Sequence, residues 1–263
     1  MGLIKTEIVD VYSGKIQILK LDNPTTRNSM TREMGEAFQE EIHKISSSSE
    51  KPRCVIITGA NNVFSSGGDL KLLKSFREKS LEENKKFMYE FYNSFLSIRN
   101  LACPVVGAVN GHAIGAALSL AFACDFRIFS ESSKYSFNFV RLGIHPGMGA
   151  SFLTRELFGI QKANNLLQMA HVYTGKEMYD MGYCNDAVPS EDVIKRSMEF
   201  AIELSEVAPL ALQELKQNTY NKEDLQAALK KEAESQARNF LTEDFGEALK
   251  SLEEKRNAIF KGK

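Results

Sequence analysis

Residues 104–128 read PVVGAVNGHAIGAALSLAFACDFRI and overlap a run from Leu101 to Cys124 that carries no formally charged residue. A run of that length could cross a bilayer as a helix. Pro104, Asn110, Gly111 and His112 argue against this, because they break the run where a spanning helix needs continuity. The better reading is a buried strand over Val105–Val109, a turn, and a buried helix over Gly115–Ala123. Asp125–Phe129 then reads as the next strand, and Lys134–Phe139 as a further one. Short apolar strands separated by helices build a parallel sheet covered on both faces.

The same alternation holds upstream. Ile4, Ile8 and Val11, then Ile16, Ile18 and Leu21, predict two strands joined at Ser13-Gly14. Thr31 is placed to cap a helix carrying Met34, Phe38, Ile42 and Ile45. Cys54–Thr58 is wholly apolar or β-branched, as suits a strand buried on both faces. A charged helix over about Leu81–Ile98 sets Phe87, Phe91, Phe95 and Ile98 on one side. The fold class is therefore α/β.

Downstream the character changes. Residues 195–263 hold no strand run and are rich in Ala, Glu, Lys and Leu, so the chain divides into a core over 1–194 and a helical region over 195–263. Leu225, Leu229, Phe240, Leu241, Phe245 and Leu249 give that region apolar positions for a subunit interface or for docking onto the core.

Composition narrows the function. The chain has 263 residues, 43% hydrophobic and 25% charged, within the usual range of a soluble globular protein. Lys+Arg total 33 against 34 Asp+Glu, a net charge of -1, which gives no footprint for nucleic acid or for a membrane surface. The four cysteines (Cys54, Cys103, Cys124, Cys184) form no C-x-x-C pair, and no metal site is expected. Cys54, Cys103 and Cys124 read as buried free thiols. With a start that lacks an apolar signal core, they suggest a cytoplasmic protein.

Two glycine-rich segments each follow a buried strand and precede a helix: Ser65-Ser66-Gly67-Gly68-Asp69, and Asn110 to Ala117. Small residues let a ligand approach the backbone, and a helix N-terminus offers unpaired N–H groups. Two such groups converging on one point make an oxyanion hole. Neither segment fits a nucleotide-binding fingerprint. A third segment, Asn138 to Ala150, is a Gly- and Pro-rich loop whose one group titrating near neutrality is His145.

Taken together, NPTTRNSM, FSSGGDL, PVVGAVNGHAIGAALSLAFACDFRI, LGIHPGMGAS and EDFGEALKSLEEKR resemble the crotonase (enoyl-CoA hydratase/isomerase) superfamily along nearly the whole chain. The resemblance implies a spiral of ββα turns with a C-terminal helical region that forms trimers or hexamers. It implies an acyl-CoA thioester as substrate, lyase or isomerase chemistry, a place in fatty acid metabolism, and no cofactor beyond the substrate's coenzyme A. It places the oxyanion donors at the Ser66 and Ala116 amides. It sets Arg27 and Asn28 near the CoA phosphates, and Ser66, Gly67, Gly68, Asp69 and Leu70 along its adenine and pantetheine. Gly115, Phe139 and Pro146 complete the implied binding set.

The sequence departs from the family at the acid/base positions. Hydratases of this family use two glutamates, and the motifs put Ser119 and Phe139 in their places. A general acid/base must reach the reacting proton with a suitable pKa, which Phe139 cannot do. His145 is the leading substitute, with Ser119, Asn138 and Arg141 behind it. The alternatives within the fold are a decarboxylase or a thioesterase. A non-catalytic acyl-CoA-binding protein is a further one, and an acyl carrier protein could replace CoA. Decarboxylation needs chiefly an enolate hole and an apolar pocket, which a Phe at 139 would suit.

Overall fold

The computed structural model describes residues 2–263. β1 (Ile4–Val11) and β2 (Gly14–Leu21) form the expected antiparallel hairpin, with Val11 opposite Gly14 at its turn. The Thr31 hydroxyl accepts the Met34 N–H at 3.2 Å and opens α1 (Arg32–Ser47). Met34, Phe38, Ile42 and Ile45 form the buried stripe of that helix, each contributing about 2 kcal/mol of burial. The chain continues through β3 (Cys54–Gly59), α2 (Leu70–Ser75), α3 (Leu81–Leu96), β4 (Val105–Val109), β5 (Ala113–Ile114), α4 (Ala116–Ala123), β6 (Phe126–Ser130) and β7 (Lys134–Ser136). Then come α5 (Ala150–Leu167), β8 (Tyr173–Thr174), α6 (Gly175–Asp180) and β9 (Asp186–Val188).

The main sheet has six strands in the order β1-β2-β3-β4-β6-β9, parallel from β2 onward. β3 and β4 are buried throughout. A second sheet, β5-β7-β8, is built from strands of two or three residues. The strand expected over Lys134–Phe139 stops at Ser136. Asn138–Leu142 coils instead into a short 3-10 turn closed by Gly143 at φ +69°, which turns Phe139 inward.

α7 (Val193–Ser205) lies on one face of the main sheet. Its Val193 and Ala201 pack with Ile16, Ile18, Ile56, Val106 and Ile128. The expected division at residue 194 therefore runs through α7, which is a layer of the core. α8 (Pro209–Thr219), α9 (Lys222–Phe240) and α10 (Glu243–Glu254) complete the chain. Leu225, Leu229, Phe240, Phe245 and Leu249 are buried in the chain's own larger core, so they dock; Leu241 stays exposed. Among the described residues no helix is long and apolar enough to cross a membrane. All four cysteines are free; Cys54 and Cys124 are buried, whereas Cys103, expected to be buried, is only partly so.

Candidate active site

The segment Phe64–Gly68 is fastened on both sides. On one side the Ser65 N–H donates to the His112 carbonyl at 3.2 Å, and Ser65 pairs with Ala113. On the other, the Ser66 N–H donates to the Arg27 carbonyl at 3.0 Å, and the Gly67 carbonyl accepts the Met30 N–H at 2.8 Å. The Gly67 N–H turns back to the Ser65 hydroxyl at 3.2 Å. Ser66 is thereby corrected as a hole donor: its one N–H is already spent on Arg27. The Gly68 N–H and the Ala116 N–H have no acceptor among the described residues, and both residues line the same cavity. Ala116 opens α4, where the helix leaves its first N–H groups unpaired.

The two segments touch. A Cβ at Gly67 (φ +84°) would lie 2.3 Å from the Ile114 carbonyl oxygen and 4.0 Å from the Ala116 nitrogen. Only glycine fits there. Gly115, at φ 56° and ψ -117°, makes the corner that starts α4, and its N–H is held by the Ser136 carbonyl at 2.8 Å.

Gly68 and Ala116 line an apolar cavity that is open to solvent at one end. Leu72, Leu73, Phe76, Phe87, Met88 and Phe91 wall one side, and Phe139, Leu142, Ile144 and Met148 the other. Its polar side chains are Ser66, Asp69, Asn138, Tyr92 and Gln236. Asp69 is its one carboxylate, and one oxygen of it caps α2 by accepting the Leu72 N–H at 2.9 Å. No imidazole lines it.

Of the candidate acid/base residues Asn138 alone lines the cavity; Ser119, His145 and Arg141 lie elsewhere. Ser119 is buried outside the cavity, and its hydroxyl donates to the Gly147 carbonyl at 3.2 Å, which leaves no base to activate it. His145 lines a different cavity, between α5 and α9, beside Ser151, Arg155 and Glu232. Its Nδ1 lies 2.6 Å from the Pro146 carbonyl, and burial lowers its pKa from the ordinary value. It is corrected from catalyst to scaffold. Pro146 does not line the site cavity either. Asn28 is also structural: its amide donates to the Val63 and Ala60 carbonyls, and its oxygen accepts the Asn23 N–H. Arg27 and Leu70 are exposed at the rim of this region. Arg141 binds the Met169 and Ala170 carbonyls and stays outside the cavity.

Tyr92 and Gln236 were not foreseen. Tyr92 belongs to the buried face of α3 with Met88, Phe91 and Phe95, so the helical period that marked the phenylalanines held its signal. Gln236 comes from α9, and no local pattern links it to the motifs.

A mostly parallel α/β spiral whose two glycine-rich turns leave a pair of unpaired amides over an apolar cavity defines a crotonase-type acyl-thioester site. The Enoyl-CoA hydratase/isomerase profile matches residues 12–263. Enoyl-CoA isomerase/hydratase fer4 of Mycosarcoma maydis is 31% identical, covering 98% of this chain and 94% of that one. Bacillaene synthase decarboxylase PksI of Bacillus subtilis is 29% identical over 76% of this chain and 77% of its own. The crystal structure of enoyl-CoA hydratase from Bacillus halodurans, 24% identical, superposes with a TM-score of 0.85 over 95% of this chain and 99% of that one, which shows the fold. The chain belongs to the enoyl-CoA hydratase/isomerase family and is an acyl-CoA-processing enzyme of the lyase/isomerase type.

Proposed function

We propose that the enzyme forms the enolate of an acyl-CoA thioester, with the carbonyl oxygen held between the Gly68 and Ala116 amides. The observation that carries this is the pair of adjacent N–H groups left without protein acceptors at the head of an apolar cavity. Donors fixed in advance toward a developing oxyanion are worth about 3 kcal/mol of barrier each. The thioester could be carried by CoA or by an acyl carrier protein. In this reading the pantetheine arm runs past Gly67 and Gly115 and its phosphates meet the Arg27 side chain, whose exposure supports that role.

A second reading is favoured by the absence of an imidazole and of any carboxylate but Asp69 from the cavity lining. Decarboxylation of a 2-carboxyacyl (malonyl-type) thioester needs no base: the bond from C2 to the carboxyl breaks, its electron pair enters the enolate, CO₂ leaves, and a proton from water restores C2. Phe139 supports this by keeping the carboxylate's surroundings apolar.

The exposed Leu210 and Leu215 on α8 and Ile160 on α5 support association into trimers or hexamers, as the family resemblance implies. Four free thiols suit a reducing compartment such as the cytoplasm. A role in fatty acid metabolism follows from the same resemblance.

The test is Ala116→Pro. Proline is accommodated at the first residue of a helix and removes the donor N–H. Crotonyl-CoA, a Δ3-enoyl-CoA and methylmalonyl-CoA are offered to the wild type, and the best of them to the variant. Turnover should fall about 10²- to 10³-fold while circular dichroism and Tm hold. A folded variant with undiminished turnover would remove Ala116 from the hole. Release of CO₂ as the one wild-type reaction would establish the second reading.

A further inference from the structure

We propose that Tyr92 is the specificity-determining residue of the acyl cavity, and that its phenolic oxygen accepts a hydrogen bond from an O–H group beside or on the acyl chain. The argument is one of hydrogen-bond direction. The Gln236 amide nitrogen donates to the His145 main-chain carbonyl at 2.7 Å. A carbonyl can only accept, so this contact fixes which end of the Gln236 amide is nitrogen. The other end, the Gln236 oxygen, lies 2.8 Å from the Tyr92 hydroxyl and must accept its proton. Tyr92 thus has its proton pinned toward α9 and only lone pairs left over. No other donor among the described residues reaches them.

Tyr92, buried at 1% exposure, is part of the cavity wall. The hydroxyl sits against Gly147, where a Cβ would come within 2.4 Å of it, and Gly147, Gln236 and Tyr92 all line the cavity wall. A side chain at position 147 would collide with that oxygen and with the Gln236 amide. Burial raises the Tyr92 pKa well above its ordinary value, so the phenol keeps its proton and donates it in a hydrogen bond to the Gln236 oxygen. The surrounding wall is apolar, which makes an acceptor there selective: a ligand that brings a donor is rewarded, and one that brings a second acceptor is repelled.

The required chemistry is an O–H donor, and it has two sources: a hydroxyl on the acyl chain, or a water delivered to it. The inference rests on the acyl-CoA reading only for which cavity the acyl chain fills. The experiment measures binding of butyryl-CoA, 3-hydroxybutyryl-CoA and acetoacetyl-CoA by calorimetry, together with hydration of crotonyl-CoA. It uses the wild type, Tyr92→Phe and Gln236→Leu. If the acyl hydroxyl is the donor, the wild type should prefer 3-hydroxybutyryl-CoA over butyryl-CoA by about five- to tenfold, and Tyr92→Phe should erase the preference. If water is the donor, the wild type should bind the two alike. Tyr92→Phe should then lower kcat for crotonyl-CoA with KM unchanged. In either case Gln236→Leu releases the Tyr92 proton and should improve acetoacetyl-CoA relative to the other two. A purely packing role for Tyr92 would not move that ratio. Should all three thioesters bind alike to all three proteins, with crotonyl-CoA hydration unaltered, Tyr92 has no such role and the acyl-CoA reading stands. Should the wild type bind none of them, both fail together.

Discussion

Glu232 on α9 is buried with no cation in salt-bridge range among the described residues. Its oxygens accept the Gly149 N–H at 2.6 Å, the Ser151 N–H at 3.0 Å and the Ser151 hydroxyl, which closes the N-terminus of α5. Burial outweighs these bonds and pushes its pKa up to about 7. A raised carboxyl pKa means that the folded state holds the proton more tightly than the unfolded one. Its contribution is complete below about 4.5 and is lost as the pH climbs toward 7, a change of roughly 3 kcal/mol. The stability of the wild type relative to Glu232→Gln should therefore decline across that window in denaturant titrations. His145, which lines the same cavity, is common to both proteins and cancels. A difference independent of pH would show that the three hydrogen bonds, not burial, set this group. Single residues were also where the sequence misled most. FSSGGDL announced a backbone site, yet which amide stays open depends on the Arg27 carbonyl, far away in sequence. His145 looked chemical because of its type, and its direction was invisible.

Among the elements, α8 is the least secured. None of its residues is buried, so propensity and Pro209 at its start do not explain why it stays docked. Its tether is Lys216, whose ammonium lies 2.7 Å from Asp125 and donates to the Cys103 carbonyl at 2.9 Å. Both side chains are nearly buried, at 11% and 12% exposure. Asp125 also accepts the Val105 N–H and the Tyr220 hydroxyl, and the Arg99 guanidinium lies 3.4 Å from the Tyr220 ring centre. Removing one partner of such a pair strands the other charge, at about 3 kcal/mol. Lys216→Met should lose about that much stability, and amide exchange along α8 should accelerate before the main sheet opens. Adding Asp125→Asn should recover part of the loss; no recovery would mean that Lys216 acts through packing. This tether had no signature in the sequence, since nothing local ties residue 216 to 125. What local pattern could reveal, it did: the hairpin at Gly14, the cap at Thr31 and the buried runs of β3 and β4 all lie where the residues placed them. The β5-β7-β8 sheet escaped because strands of two or three residues carry no period.

For the whole molecule the issue is whether the helices after α7 are an appendage or part of the folding unit. α9 and α10 send Leu225, Leu229, Ala233, Phe240, Phe245 and Leu249 into the same core that α1, α3 and α4 fill. Phe240 stacks on Phe76 with ring centres 4.5 Å apart, Gln236 fixes Tyr92, and Glu232 holds the start of α5. Burying a Leu or Phe is worth about 2 kcal/mol, so the large side chains of this group together match the ~5–15 kcal/mol margin of an ordinary domain. A chain ending at residue 206, with α7 intact, should therefore fail to form the cavity. It should lose near-UV circular dichroism, expose apolar surface to a hydrophobic dye, and bind no acyl-CoA. Cooperative unfolding of that fragment near the full-length Tm would show instead that the spiral is autonomous. Aggregation alone would not distinguish the two, since a folded spiral with its α9 seat bared would also associate; near-UV dichroism in the soluble fraction decides it.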